Sequence, residues 1–465
     1  VLFTELRFLG FFLVVFLVYW GLRWNSARKV WLLAASYLFY AGWDWRFLGL
    51  IVLSTAVDFA VGGMLARAES TRARRLLLIT SLGINLGILG LFKYFDFFAA
   101  SAADLLGWLG LPTSERALNL ILPVGISFYT FQTLSYTIDI YRRRLEPTSS
   151  LLDFSLFVAF FPQLVAGPIV RATTFLPQLT GLRRFGEVPI RFCLTLFLAG
   201  YVKKACIADN MAILVDPVFA DPAATSTGAL WLAMFLYGIQ IFCDFSGYSD
   251  MAIATGGLLG FRLPLNFDHP YTAATMTDFW RRWHISLSTW FRDYLYIPLG
   301  GNRGSRRRLL LNLVTVFFLC GLWHGASWNF VIWGLLHGGV LVVERIFGGR
   351  EPGSAWPVRT VITQVLVMFA WVIFRCTDLS TASSFYGGLL GGADGIASDD
   401  LSLSALWWIL IVALLAIHFA LRRRDLVERS RALPDWVFAL AFGVAVALTL
   451  PWVAADYQPF IYFQF

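Results

Sequence analysis

Charge is what this sequence has least of. Only 14% of its 465 residues are Asp, Glu, Lys or Arg, while 58% are hydrophobic. A soluble domain carries roughly 25% charged residues, so a water-solvated globular protein is excluded and lipid is the predicted solvent. Cysteine is sparse as well. The five, Cys193, Cys206, Cys243, Cys320 and Cys376, include no C-x-x-C pair, which argues against a disulfide framework, a zinc site or an iron–sulfur cluster and leaves them as small buried hydrophobes. The sequence contains no G-x-S-x-G elbow, no P-loop and no G-x-G-x-x-G, so hydrolase, NTPase and dinucleotide-binding chemistries lose their usual carriers. No repeat, low-complexity tract or linker marks a second domain, and residues 1–465 are expected to form one integral membrane domain without a resident cofactor or metal. The net charge of +8 does not point to nucleic acid, because the basic residues flank apolar spans, where they set topology.

What is present in abundance is apolar runs, such as FLGFFLVVFLVYW (8–20), LLLITSLGINLGILGLFKYFDFF (76–98) and ALAFGVAVALTLPWV (439–453). At about 20 residues per span the chain has room for roughly ten to twelve crossings. The first run is not expected to be a cleavable signal peptide: one arginine precedes it, no small-residue cleavage site follows, and further spans come directly after. Arg and Lys gather at 23–29, 67–75, 142–144, 171–191, 281–308, 345–359 and 422–431, and are nearly absent from 42–46, 216–228 and 375–402. The positive-inside rule places the first group in the cytoplasm and both termini outside. Residues 151–170 (LLDFSLFVAFFPQLVAGPIV) have cytoplasmic-type flanks on both sides and contain Pro162, Gly167 and Pro168, so a re-entrant element is expected. Lys203 and Lys204 fall inside an apolar run; a cavity and a shifted membrane boundary both account for them.

Two histidines stand out. Residues 278–298 (DFWRRWHISLSTWFRDYLYIP) repeat Trp280, Trp283, His284, Leu287, Trp290, Phe291, Tyr294 and Leu295 at three- and four-residue spacing, with Arg281, Arg282, Arg292 and Asp293 largely opposite. The pattern predicts a helix lying in the cytoplasmic interface with His284 on its apolar face. His324, in GLWHGASWN (321–329), closes an apolar run that starts at Leu309. A buried histidine hydrogen-bonded to a carbonyl is the plain reading for either; two within 40 residues on apolar surfaces favour a site, since polar groups at membrane depth usually line one. Gly321 and Gly325 flank His324 and allow either close helix packing or a substrate slot. His337 lies about 220° around a continuous helix from His324 and is expected to make a structural hydrogen bond. His269 reads as a loop residue, and His418 as one that packs or snorkels. Asp244 is either a site partner or a buried helix–helix hydrogen bond.

The segments DFWRRWHISLSTWFRDYLYIPLGGNR (278–303) and GLWHGASWN (321–329) resemble the membrane-bound O-acyltransferases (MBOAT). LPVGISFYTFQTLSYTIDIYR (122–142), FFPQLVAGPIVR (160–171) and FCDFSGYSDMAIATGGLLGF (242–261) are similar to the bacterial branch that includes the alginate O-acetylation membrane protein. The resemblance runs in order to about residue 375, with teichoic acid D-alanyl transferases as more distant relatives. It implies an all-α polytopic fold around a central tunnel in the bacterial inner membrane and a cytosolic thioester donor such as acetyl-CoA. The family's invariant histidine matches His324; its second position, histidine in this branch and often asparagine elsewhere, matches His284.

The chemistry suits these residues. Acyl transfer from a thioester to a hydroxyl must remove the hydroxyl proton, and an imidazole with an ordinary pKa near 6.5 is the usual agent. His324 is the expected general base, or alternatively a transient acyl carrier; His284 is expected to orient a reactant or stabilise the developing oxyanion. Arg303, Arg306, Arg307 and Arg308 head the run leading to His324 and either attract the phosphates of coenzyme A or anchor the cytoplasmic end. The expected product is O-acetylated alginate or another envelope glycan. D-alanyl transfer and, in a different class, a flippase for a lipid-linked glycan are the alternatives, although no inverted repeat supports the last. The outer loops are short, so a partner protein such as a periplasmic acetyltransferase is expected to complete the transfer.

Overall fold

A computed structural model describes residues 3–112, 117–347, 356–392, 404–421, 426–454 and Ile461. These form α-helices joined by 3-10 and π turns, with no strand among the described residues. Among them, seven helical stretches are long and apolar enough to cross a membrane: Asn25–Arg67, Thr71–Trp108, Thr227–Leu258, Arg306–His324, Trp328–Phe347, Trp356–Arg375 and Asp435–Trp452. The first is broken at Asp44, whose φ of −157° is extended, into Asn25–Asp44 and Leu48–Arg67, each 20 residues and each sufficient for a span. Shorter apolar helices occupy Leu6–Gly21 and Trp407–Ala420. The protein is therefore an all-helical, multi-pass membrane protein. The arginine run 422–424 and the acidic stretch 393–400 lie outside the described residues.

The chain divides into two compact units, Val1–Cys193 with Ala252–Pro264, and Leu194–Met251 with Leu265–Phe465. In the first, buried Asp58 ties three helices together. Its oxygens accept from the hydroxyls of Ser81 and Thr137 and from the Asn85 amide, which satisfies a carboxylate that water cannot reach. Two of the basic residues read from sequence as topology signals also knit helix ends. Arg28 donates to the carbonyls of Leu22 and Arg183, and Arg74 to those of Leu65, Ile140 and Tyr141. Residues 151–170 form two short helices, Leu151–Ala159 and Phe161–Leu164, and a non-helical return, all buried from Phe154 to Val170. Nine helical residues reach about 14 Å, under half of the roughly 30 Å hydrocarbon core. Neither helix is long enough to span that core by itself.

The second unit answers the question posed by the two lysines. A π turn over Val202–Ala208 points Lys203 and Lys204 to different partners. Lys203 Nζ lies 2.6 Å from Asp250 and keeps 31% of its side chain exposed. Lys204 is buried, with Nζ 2.6 Å from both Asp209 and Asp244. Asp244 also accepts the Ile461 backbone N–H at 2.8 Å, so it is an ion-pair partner joining three segments and not a simple helix–helix hydrogen bond. Removing one member of a buried pair strands the other charge, at about 3–5 kcal/mol. The Lys203–Asp250 pair is only partly buried, with 31% of the lysine and 13% of the aspartate side chain exposed, so its loss costs less. Lys204→Met should therefore lower the thermal unfolding midpoint of detergent-solubilised protein sharply, and Lys203→Met should lower it by less.

Candidate active site

The site is built on a helical hairpin in the second unit. Ser305 Oγ accepts the Arg308 N–H and starts the Arg306–His324 helix. The helix stops at His324 because Gly325 is extended (φ −161°), and a new helix runs from Trp328 to Phe347. The two helices meet backbone to backbone. A Cβ on Gly321 would lie 2.1 Å from the Phe330 carbonyl oxygen, and one on Gly334 2.2 Å from that of Phe317. Gly325 meets the Phe330 ring, where a Cβ would sit 2.1 Å away. Of the two readings open for Gly321 and Gly325, close packing is therefore the one realised.

That contact sets His324 in a wall of aromatic rings. It is 5% exposed, with the rings of Trp323, Trp333 and Phe374 edge-on at centroid distances of 5.1, 5.0 and 5.3 Å. Trp333 also lies 4.6 Å from the ring of His337. The 220° separation expected for His337 presumed one continuous helix. The break at 325–327 removes that premise and brings His337 into the same cluster. Its expected hydrogen bond is present, since Trp280 Nε1–H donates to His337 Nδ1 at 3.3 Å.

His284 reaches the cluster by a different route. Periodicity predicts a continuous helix through residue 284, but the structure has two short ones, Met276–Arg282 and Ile285–Phe291. Between them His284 adopts a left-handed conformation (φ 43°, ψ 55°). Competition for backbone donors explains the break. Glu344 accepts from the N–H groups of Met276 and Thr277 and from the Thr277 hydroxyl, clamping the start of the first helix. Asn266 captures the start of the second: its carbonyl accepts from Ile285 N–H at 2.9 Å, and its Oδ1 accepts from Ser286 N–H at 3.2 Å and Ser286 Oγ–H at 2.8 Å. The helix restarts on that cap. The apolar face survives the break, with Trp280, Trp283, Leu287, Trp290, Phe291 and Tyr294 buried and Arg281 and Arg292 exposed.

His284 is fully buried, edge-on to Phe245 at 4.7 Å and 6.0 Å from the ring of Trp323. Trp323 is thus shared by His284 and His324, which the structure brings to one aromatic centre. Burial pushes the His284 pKa down to about 3, so its ring is neutral at any working pH. A neutral imidazole donates from one nitrogen only, which bears on the oxyanion role expected for it.

The four arginines are not equivalent. All four are exposed, but Arg308 donates to the Leu299 carbonyl and Arg306 to that of Ile346. His269 is a loop residue beside Asp268, 3.1 Å away, with its ring 5.1 Å from that of His418. Sequence reasoning did not single out Asn266, Glu344, Trp333 or Phe374. Only Trp333 carried a signal, four residues before His337 in WGLLH.

The hairpin contact yields a stability prediction. Forcing a methyl group into a closed backbone contact costs about 1–3 kcal/mol or more. Gly334→Ala should lower the unfolding midpoint by several degrees. Gly339→Ala, on the same helix but with open space around it, should leave the midpoint unchanged or raise it.

Residues 141–376, which contain both His284 and His324, match the membrane-bound O-acyltransferase family, MBOAT. Over 491 residues the chain is 38% identical to a probable alginate O-acetylase of Pseudomonas putida, covering 100% of both chains. It is 44% identical over 386 residues to the corresponding protein of Pseudomonas aeruginosa, covering 83% of this chain and 74% of the relative. A peptidoglycan O-acetyltransferase of Helicobacter pylori is 34% identical over 517 residues, covering 99% of this chain and 97% of the relative. The aromatic centre with its two histidines therefore lies within the family's own segment, and the chain belongs to the membrane-bound O-acyltransferases, in the branch of the alginate O-acetylases.

Proposed function

We propose that the protein transfers an acetyl group from cytosolic acetyl-CoA across the bacterial inner membrane for O-acetylation of alginate or another envelope glycan. The observation that carries this reading is the pairing of His324 and His284 around Trp323 in a buried aromatic centre. That the relatives are named as O-acetylases of alginate and of peptidoglycan supports acetyl as the group and a glycan as its destination.

In the reaction, a hydroxyl oxygen attacks the thioester carbonyl, a C–O bond forms and the C–S bond breaks. An imidazole takes the hydroxyl proton and returns it to the departing thiolate. His324 is assigned to that proton transfer, with transient acylation of its ring as the alternative. The Arg306–His324 helix is about 28 Å long at 1.5 Å per residue, so a pantetheine arm entering from the arginine loop reaches inward while its nucleotide stays among charged side chains. Arg303, Arg306, Arg307 and Arg308, all exposed, supply that charge; a bond from Arg306 or Arg308 to a carbonyl leaves its guanidinium charged, with donors to spare. The final transfer to glycan falls to a partner protein on the outer side, whose hydroxyl is the immediate acceptor.

His324→Ala should reduce glycan-bound acetate to the level of a deletion strain while the protein still accumulates in the membrane; near wild-type acetylation would sink the assignment. Orientation is checked with an impermeant thiol reagent on intact cells. Ala223→Cys should label and Ser305→Cys should not, and the reverse pattern would overturn the direction of transfer. In liposomes supplied with labelled acetyl-CoA on the arginine-loop side, glycan on the other side should become acetylated only when the partner protein is added.

A further inference from the structure

We infer that Asn266 is the positioning residue for His284, holding its ring proton on Nδ1 so that Nε2 is the lone pair that accepts a hydrogen bond from a reactant's hydroxyl. The inference rests on placing His284 in the reacting centre, as proposed above, and assigns it a different part from an oxyanion donor.

The starting point is which end of the Asn266 amide faces the ring. Amide oxygen and nitrogen are interchangeable by shape and are told apart by their partners. Here one partner is unambiguous. The Ser286 backbone N–H is a donor only, and it points at Oδ1 from 3.2 Å, so that atom is the oxygen. The other end agrees, since Nδ2 donates to Ser249 Oγ at 3.1 Å. The same oxygen lies 3.1 Å from His284 Nδ1. An oxygen without a proton facing a ring nitrogen at that distance requires the proton to be on the nitrogen. His284 is therefore the Nδ1–H tautomer, and Nε2 carries the lone pair.

Two features make this assignment rigid. Asn266 is fully buried, and its backbone carbonyl and side chain together cap the helix that starts at Ile285, so the amide cannot turn without uncapping the helix. The Thr227–Leu258 and Arg306–His324 helices bring the uncharged rings of Phe245 and Trp323 against His284. On its own segment Asp278 and Arg282 pair with each other at 2.9 Å, and Arg281 is exposed. His337 shows the converse arrangement: its Nδ1 accepts the Trp280 indole N–H, which puts its own proton on Nε2. The centre thus holds two neutral imidazoles with opposite tautomers, each set by a neighbour.

The test reads the proton directly. The chain has five histidines, few enough for 15N-histidine spectra of the protein in phosphatidylcholine bilayers, with His284→Asn to identify the resonances of residue 284. The expected spectrum has a protonated Nδ1 and a bare Nε2 at His284, and a mixture of tautomers in Asn266→Leu. A protonated Nε2 in the unmodified protein overturns the inference. The second readout is the pH profile of acetyl transfer in Asn266→Asp. Both Ser286 donors still find an oxygen there, and the Ser249 hydroxyl can rotate to donate. A carboxylate at that distance raises an imidazole pKa by about 1–3 units, which takes His284 from about 3 to about 4–6, so Nε2 gains a proton only on the acid side. On acidification, activity in Asn266→Asp should fall at a higher pH than in the unmodified protein, and it should be regained above about pH 6. An unmoved profile removes the role of Nε2 in the reaction. The spectrum is independent of turnover: the expected tautomer together with full activity in His324→Ala would refute the proposed function and leave the tautomer assignment standing.

Discussion

The contact between the backbones at Gly321 and Gly334 is the constraint from which the candidate centre follows. Two helices approach this closely only where neither carries a side chain, and the approach fixes what surrounds it. It brings Trp333 against His324 and leaves no room for a ring at 321 or 334, while the extended Gly325 ends the first helix. Because that helix stops at residue 324, the histidine is its last residue and not a member of a continuing face. Trp333 and His337 then come back along the second helix to the same place. A single bulkier residue at either glycine would part the helices and dissolve the aromatic wall.

A second regularity is how polar groups are managed in an apolar interior. Several buried ones are committed to named partners. Asp58 is held by three side chains from two neighbouring helices, Lys204 by two carboxylates, and His284 by an asparagine that is itself held by two serines. In a low-dielectric setting such commitments keep groups in one protonation state and one orientation. For an acyl transfer that pivots on a single proton, a ring whose proton position is settled before the reactants arrive needs little reorganisation during the reaction.

The sequence displayed the class of fold and the two histidines with good clarity, and for physical reasons. Apolar length betrays spans, and a titratable ring on an apolar face is costly enough to be conspicuous. The aromatic face around His284 was likewise legible, residue by residue. What could not be seen were features decided by residues far away along the chain. The break at Trp283–His284 leaves the three-and-four spacing intact, and its cause is an asparagine 18 residues earlier in the connection FRLPLNF (261–267), where a lone asparagine has no periodic pattern to mark it. Lys204 looked anomalous because only one of its two partners, Asp209, is near in sequence; the other, Asp244, and the segment that reaches Asp244 through Ile461 lie about 40 and 250 residues further on. His337 was misplaced by an angular argument that holds only if the helix continues through Gly325.

A backbone at φ 43° admits few side chains. β-Branched and bulky residues meet the neighbouring carbonyl there, whereas glycine, asparagine, aspartate and histidine tolerate it. Position 284 is therefore filtered twice, first by conformation and then by chemistry. A carboxylate would bring an unwanted charge into a buried pocket, and glycine brings no functional group, which leaves histidine and asparagine. The resemblance stated for this position implies the same two alternatives, histidine in this bacterial branch and often asparagine elsewhere. The shape of the chain at one residue thus accounts for a restricted choice that reaction chemistry alone would have left much wider.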